Sequence, residues 1–371
     1  MKTGRYIWQQ QQWPQLRWDD SALSGTLART AETGGRLLGE LGMIGLEAEA
    51  LRAERVVAEA LSTASIEGEA LPPASVRSSV AHRLGLNDGA PTTRHDVQGL
   101  VDVLLDATTR SSEDLTDERL FGWHAALFPT GHSGIRRIAV GRWREGPVRV
   151  MSGRVGAEQI HFEGPPSSQI PTEMRSFLIW WASSTTLAPA MRAGVAHAWF
   201  ETIHPFEDGN GRIGRAIADM ALAGSSGRRA FSLSEQILAD RRAYYEALQR
   251  MQGGDLDITM WLRWFLDCVR RAMESSRRHV HAAVRKSQLH RLVAGAGLNA
   301  RQRKVLVRLL EAGPGGFEGG LSNRKYGSIA KTSRATATRD LGDLVSRGLL
   351  ISSGGGRSTR YQFNWGLLDS P

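Results

Sequence analysis

One stretch concentrates the reactive side chains of this chain: His204-Pro205-Phe206-Glu207-Asp208-Gly209-Asn210-Gly211-Arg212-Ile213-Gly214-Arg215. Glycine lets a backbone come close to a ligand and point successive N–H groups one way. Asp208-Gly209-Asn210-Gly211 therefore reads as an anion-binding turn, and the start of the helix that follows it favours anions as well. Arg212 and Arg215 are three apart, which puts them on one helix face where they extend the positive site. Such parts suit phosphoryl or nucleotidyl transfer. Backbone N–H groups and Arg212 would hold a di- or triphosphate, Asp208 would ligate Mg²⁺, a hard cation that takes oxygen ligands, and His204 would accept the proton of an attacking hydroxyl. The competing reading is a tight turn between two core helices, with His204 as a cap and both arginines solvated.

Such a loop needs rigid elements on either side. Met191, Val195, Trp199, Phe200 and Ile203 recur at helical spacing up to His204, where Pro205 stops the helix. Helices are predicted over 171–183, 189–203, 211–223, 234–252 and 257–290. Upstream, residues 21–66 are rich in Ala, Leu, Glu and Arg. Their apolar positions (Leu37, Leu41, Ile44, then Val56, Val57, Ala60 and Leu61) fall at helical intervals. This helical region should end at Glu67-Gly68, with Pro72-Pro73 shortly after. Residues 92–128 give two more helices, the second capped by Thr116. Residues 134–163 change to Ile and Val interleaved with Gly and Arg, a pattern of short strands or a hairpin. Trp8, Trp13 and Trp18 are five apart, which is neither a helical nor a strand period, so residues 1–20 read as an extended segment that docks its indoles on the next domain.

The stretch from His204 to Arg215 carries every specified position of the signature HPFxDGNGRxxR, and in this the sequence resembles the Fic family. The resemblance implies transfer of AMP from ATP to a Ser, Thr or Tyr hydroxyl of a target protein with Mg²⁺, a protein adenylyltransferase (nucleotidyltransferase) activity. It makes His204 the general base, Asp208 the metal ligand, and Gly209, Asn210 and Gly211 the phosphate-binding loop. Arg212 and Arg215 would contact the outer phosphates, and Phe206 would anchor the loop in the core. Arg144 to Glu163 is similar to the family's hairpin flap, which pairs with the backbone of a target. Tyr244-Tyr245 looks like the family's aromatic wall for adenine, with Gln252 beside it; ordinary helix packing is the alternative for the tyrosines. The Trp-rich start resembles the N-terminal helical domain of long Fic proteins.

Thr63-Ala64-Ser65-Ile66-Glu67-Gly68 matches the inhibitory pattern [S/T]xxxE[G/N] of self-restrained family members. Physically, Glu67 is a carboxylate able to pair with Arg215 through a bidentate bond, which would occupy the charge needed by the γ-phosphate, while Thr63, one turn earlier, would steady Glu67. An exposed carboxylate at a helix end is the alternative. A carboxylate above the loop would also suit the orientation of water for removal of AMP, so the direction of transfer stays open.

Composition sets the outer bounds. The chain has 371 residues, 41% of them hydrophobic and 23% charged, with one cysteine, Cys268. This excludes a collagen, a disulfide knot and a largely disordered chain. No internal disulfide is available and no zinc-type spacing is present. No apolar run reaches the roughly 18–20 residues of a membrane span, and no secretion signal stands at the start, so the expected location is cytoplasmic. Net charge is +9, but residues 277–371 hold 17 Lys/Arg against 5 Asp/Glu, whereas the rest hold 30 against 33. Such asymmetry suits an anionic partner, most simply nucleic acid, or else a solvated basic face. Residues 299–363 resemble a winged helix-turn-helix. Its helices are Arg301–Leu310, Tyr326–Ala330 and the recognition helix Ala335–Gly348, its wing strands Leu349–Ile351 and Tyr361–Phe363. Arg334, Thr336 and Arg339 are then the DNA-binding candidates, with protein docking or dimerisation the other use of such a module.

The expected architecture is mainly α. Residues 1–90 form an N-terminal helical domain with the inhibitory helix, 91–290 a Fic helical core with a β-hairpin flap, and 298–371 a winged helix. The expected function is autoinhibited AMP transfer; the alternatives are de-adenylylation and a DNA-binding regulator that uses the Fic fold as a nucleotide sensor. ATP, Mg²⁺, a target protein, DNA and a second copy in a homodimer are the partners considered.

Overall fold

The computed structural model describes residues 6–43, 47–86, 94–152, 159–224, 229–312, 317 and 320–368. The chain is mainly helical and divides into two compact units, Met1–Arg277 and Arg278–Pro371. The first opens with Asp20–Met43 (α1), Glu47–Ile66 (α2), Pro73–Arg83 (α3), His95–Thr109 (α4) and Asp117–Leu127 (α5). Two antiparallel hairpins follow, His132–Ser133 (β1) with Arg136–Arg137 (β2), and Arg149–Ser152 (β3) with Gln159–Glu163 (β4). Then come Ile170–Ser183 (α6), Pro189–Ile203 (α7), Asn210–Ala223 (α8), Leu233–Ala239 (α9), Arg241–Gln252 (α10) and Thr259–Gly295 (α11), whose later turns belong to the second unit.

The centre of the first unit is α7, in which almost every residue from Ala190 to Ile203 is buried. A helix apolar all round has no solvent face to present and sits inside. It packs chiefly on α8. Gly194 lets α11 come close: a side chain there would meet Leu262 and Phe265, and the Trp261 indole donates to the Gly194 carbonyl at 2.8 Å. On another side, α2 packs against α9, α3 and α4. Val57, Ala60, Ala64 and Ile66 are buried along it. Its Glu59 carboxylate, also buried, accepts from Arg229 at 3.1 Å, Ser232 Oγ at 2.7 Å and Ser234 N at 3.1 Å.

Several local expectations hold and several change. Thr116 caps α5 by accepting from Arg119 N. Pro72-Pro73 was expected only to end a helix, yet Pro73 starts α3, because proline suits the first helical position, where its missing N–H has no partner to lose. Residues 234–252 form two helices, broken at Asp240, which has left the helical region (φ −111°, ψ 29°). The indoles of Trp8 and Trp13 do dock, donating to Glu163 O and Glu173 Oε2, both at 2.8 Å, while Trp18 bonds locally to Asp20. The flap strands are β3 and β4; residues 153–158 between them lie outside the described residues.

In the second unit, Ala300–Glu311 (α12), Asn323–Ala330 (α13) and Arg334–Ser346 (α14) pack with an antiparallel hairpin, Leu350–Ser353 (β5) and Arg360–Phe363 (β6). Its core holds Val305, Leu306, Tyr326, Leu341, Leu344 and Phe363.

Candidate active site

The loop between α7 and α8 is built by backbone conformations that few residues adopt. His204 ends α7 in the left-handed region (φ 51°), and Gly209 precedes α8 there too (φ 80°). Between them Phe206 is fully buried and stacks on His124, ring centroids 4.2 Å apart. Asn210 closes the turn on itself: Phe206 N donates to its Oδ1, and its Nδ2 donates to Phe206 O, each at 2.9 Å. The Asn210 side chain is therefore a clamp on the loop. Arg144, also buried, grips the same segment from the flap side. Its Nε donates to His204 O at 2.8 Å, Nη1 to Gly146 O at 2.8 Å and Nη2 to Pro165 O at 2.5 Å. Burial pushes its pKa down to about 10, so it stays charged at neutral pH.

A pocket of about 530 Å³ opens above this loop, lined by Glu67, His204, Asp208, Gly209, Asn210, Gly211, Arg215, Tyr244, Tyr245 and Gln252, with Val150 and His161 of the β3–β4 hairpin at its side. Ten of the twelve residues singled out for the enzyme site in the sequence thus share one cavity; Arg212 and Thr63 do not line it. Desolvation pushes the His204 imidazole down to about 4, which leaves it neutral at pH 7. Its Nδ1 lies 3.3 Å from the Glu201 carbonyl oxygen. With Nδ1 as the N–H donor to that oxygen, Nε2 is the free base.

Arg215 is buried and its guanidinium is shared. Nε donates to Thr63 Oγ1 at 2.7 Å, and Nη2 donates to Thr63 O at 3.2 Å and to Glu67 Oε1 at 2.6 Å. The contact with Glu67 is thus carried by one nitrogen and not by the expected bidentate fork. Thr63 holds Arg215 where it was expected to steady Glu67. Burial opposes the charge of Arg215, but the Glu67 carboxylate outweighs it and holds the pKa above the usual arginine value. Glu67 Oε1 sits so close over Gly211 that a Cβ there would collide with it. Arg212 departs from the expected shared face. It turns to Glu69, 3.1 Å away, and lies over the Phe128 ring at 4.9 Å.

Asp208 accepts from Ser133 Oγ of the β1–β2 hairpin, and its Oδ1 accepts from Gly209 N at 2.5 Å. Among the described residues no cluster of three or more His, Cys, Asp or Glu is placed to hold a metal. Mg²⁺ commonly takes one or two protein carboxylates and completes its shell with substrate phosphates and water. A single carboxylate at the rim of an anion pocket fits that habit. Tyr244 is buried and its hydroxyl lies 2.9 Å from His197 Nε2, so the half-open ring of Tyr245 is the more accessible wall. Gln252 donates to the Glu201 carbonyl oxygen at 3.0 Å.

Sequence reasoning missed Glu201. Its carboxyl is buried in the pocket floor with Oε2 3.7 Å from His204 Nδ1, and desolvation pushes its pKa up to about 8. A lone carboxylate inside the apolar run of α7 was the available signal. Ser133, Arg144 and His124 were missed as well, since nothing in their spacing ties them to the loop. In the second unit, Arg334 and Arg339 are exposed on the first two turns of α14 and Thr336 is half-buried, with Ser333 capping the helix.

Comparison with known proteins agrees with this geometry. Residues 114–222 match the model of the Fic/DOC family, and residues 6–86 match a domain of unknown function, DUF4172. A probable protein adenylyltransferase of Aquifex aeolicus is 30% identical over 93 residues, which are 25% of this chain and 27% of that protein. The protein adenylyltransferase Fic of Nematostella vectensis is 28% identical over 169 residues, 45% of this chain and 35% of its own. The chain thus spans about a third or less of the length of these relatives. In fold, it is similar to a Fic family protein from Desulfovibrio desulfuricans G20, with a TM-score of 0.55 and 19% identity over 92% of this chain and 96% of the other. The helices and loop that carry His204 to Arg215 therefore belong to a domain of the Fic/DOC family.

Proposed function

We propose that this protein transfers AMP from ATP to a hydroxyl side chain of a target protein, and that Glu67 restrains the reaction. The observation that carries the reading is one pocket holding a neutral His204 beside a glycine loop, with Arg215 already taken by Glu67. In the reaction, the target hydroxyl attacks the α-phosphorus of ATP, the bond to the β-phosphate oxygen breaks, and pyrophosphate leaves. His204 Nε2 takes the hydroxyl proton. Backbone N–H groups of Asn210 and Gly211 at the start of α8 would meet the phosphates, and Arg215 would meet the γ-phosphate once Glu67 releases it. Mg²⁺ held by Asp208 would neutralise phosphate charge. Tyr245 and Leu248 offer apolar surface to the adenine, and the exposed edge of the β3–β4 hairpin suits main-chain pairing with a target strand.

The test is label transfer from α-³²P-ATP with Mg²⁺ by wild type, Glu67→Gly and Glu67→Gly/His204→Ala. Strong transfer by Glu67→Gly alone is expected, and its absence in all three overturns the reading. The position of the Glu67 carboxylate over Gly211 favours one second reading, removal of AMP by an oriented water. Loss of label from a pre-adenylylated protein, abolished by Glu67→Gly, would establish it.

Residues 299–363 we read as a winged helix that contacts DNA through Arg334, Thr336 and Arg339. The exposed arginines at the start of α14 support this, and a salt-dependent duplex shift lost in Arg334→Ala/Arg339→Ala tests it.

A further inference from the structure

The β1–β2 hairpin has two faces with different work. Its register pairs His132 with Arg137 and Ser133 with Arg136. Paired residues in a hairpin share a face, and successive residues alternate. The Ser133/Arg136 face is fastened to the catalytic loop, because Ser133 Oγ donates to Asp208 and Arg136 Nη2 donates to Glu207 O at 3.0 Å. The His132/Arg137 face turns the other way, into an open concavity of about 860 Å³ that also holds Arg142 and Glu207. Glu207 lines the catalytic pocket too, so the two cavities meet at that residue.

Two arginines, Arg137 and Arg142, line this concavity with one acidic side chain, Glu207. Arg137 and Arg142 are exposed, Arg142 is answered in part by Glu145 at 3.3 Å, and Glu207 contributes one negative charge. At the hairpin tip Ile135 is fully exposed, an apolar side chain presented beside the cations. Nothing in the AMP-transfer chemistry uses these groups.

We infer that the concavity beneath β1–β2 is a docking subsite for an acidic segment of the target protein, which runs out of the catalytic pocket past Glu207 onto Arg137, His132 and Arg142. The inference rests on the adenylyltransferase reading for the identity of its occupant. Because the hairpin's other face is bonded to Asp208 and Glu207, a segment seated here is held in fixed relation to His204, which is how remote binding energy serves orientation at a reacting centre.

The test uses the full-length Glu67→Gly protein and fluorescein-labelled dodecapeptides that carry one Ser, Thr or Tyr flanked by Glu, Gln or Lys. Binding is read by fluorescence anisotropy without ATP, and modification by ³²P transfer. The Glu-flanked peptides should bind about tenfold more tightly than the Gln-flanked ones, as expected for two or three partly exposed charge pairs. Arg137→Glu/Arg142→Glu should remove that preference and favour Lys flanks, while Arg36→Glu, on the exposed side of α1, should leave it intact. Charge-selective binding with no label transfer would keep the subsite and overturn AMP transfer. Label transfer blind to flanking charge, and unchanged by the double reversal, would overturn the subsite and keep AMP transfer. Tighter binding of a duplex oligonucleotide than of the Glu peptides at the same concavity would overturn the assignment to a protein segment.

Discussion

Replacing Glu67 by glycine should make the protein less stable and more active at once. The carboxylate makes a 2.6 Å charge-assisted bond to a guanidinium that is 1% exposed, while its own side chain is 32% exposed. A hydrogen bond to a charged group contributes about 1.5–3 kcal/mol. Water can reach the space that Glu67 leaves, and Arg215 keeps two bonds to Thr63, so the lower part of that range applies, about 2 kcal/mol. For a unit of this size that is a fall of about 5 °C in Tm. The same bond must break before a triphosphate reaches Arg215, so wild type carries that cost in the productive complex and the variant does not, a rate gain of about 30-fold. ATP should therefore raise Tm more in Glu67→Gly than in wild type. Differential scanning fluorimetry with and without ATP, beside the label-transfer assay, measures both effects. A variant that is faster yet equally stable without nucleotide, or less stable with unchanged transfer, would overturn this account, because one bond is held responsible for both.

Glu69→Ala removes the half-exposed partner of Arg212 and should raise label transfer by no more than about fivefold, the size of a partly exposed pair, measured beside Glu67→Gly. Arg144→Met leaves the His204, Gly146 and Pro165 carbonyls without their common donor and should cost about 3 kcal/mol in urea melts, with loss of transfer even in the Glu67→Gly background. Stability of the first unit should peak near pH 6.5. Desolvation holds His124, His197 and His204 down at about 4, so as pH falls below about 6.5 the unfolded chain takes up protons that the folded one refuses, and stability drops toward pH 4. Glu201, pushed up to about 8, acts in the opposite sense: its contribution is whole below about 4.5 and is lost as pH rises toward 8, so Glu201→Gln should flatten the alkaline side of the stability curve.

What the sequence disclosed about this fold follows from how local each determinant is. The turn at Asp208–Gly211, the end of α7 before Pro205 and the Thr116 cap depend on neighbours within four residues, and those were legible. The loop was also legible as a set, because His204, Asp208 and Arg215 stand within five residues of its glycines. The direction of Arg212 was not, since i and i+3 geometry predicts a shared face and only Glu69 and Phe128, far away in the chain, draw it aside. Arg144 and Ser133 reach the loop across 60 and 75 residues, a distance at which spacing carries no information. Asp240 breaks a helix whose apolar period continues through it, which periodicity cannot register.

The helix that ends just before Glu67 also supplies part of the core, through Val57, Ala60, Ala64 and the buried Glu59–Arg229 contact. Cleavage after α2, or deletion of the first ninety residues, would expose the faces of α8 and α9 that α2 covers, so the restraint proposed for Glu67 would not be shed without damage to the core. Limited proteolysis should therefore yield no active fragment lacking α2. Under the proposed restraint, activation would come from a swing of the one partly solvated Glu67 side chain, leaving the scaffold whole, and its relief would be reversible.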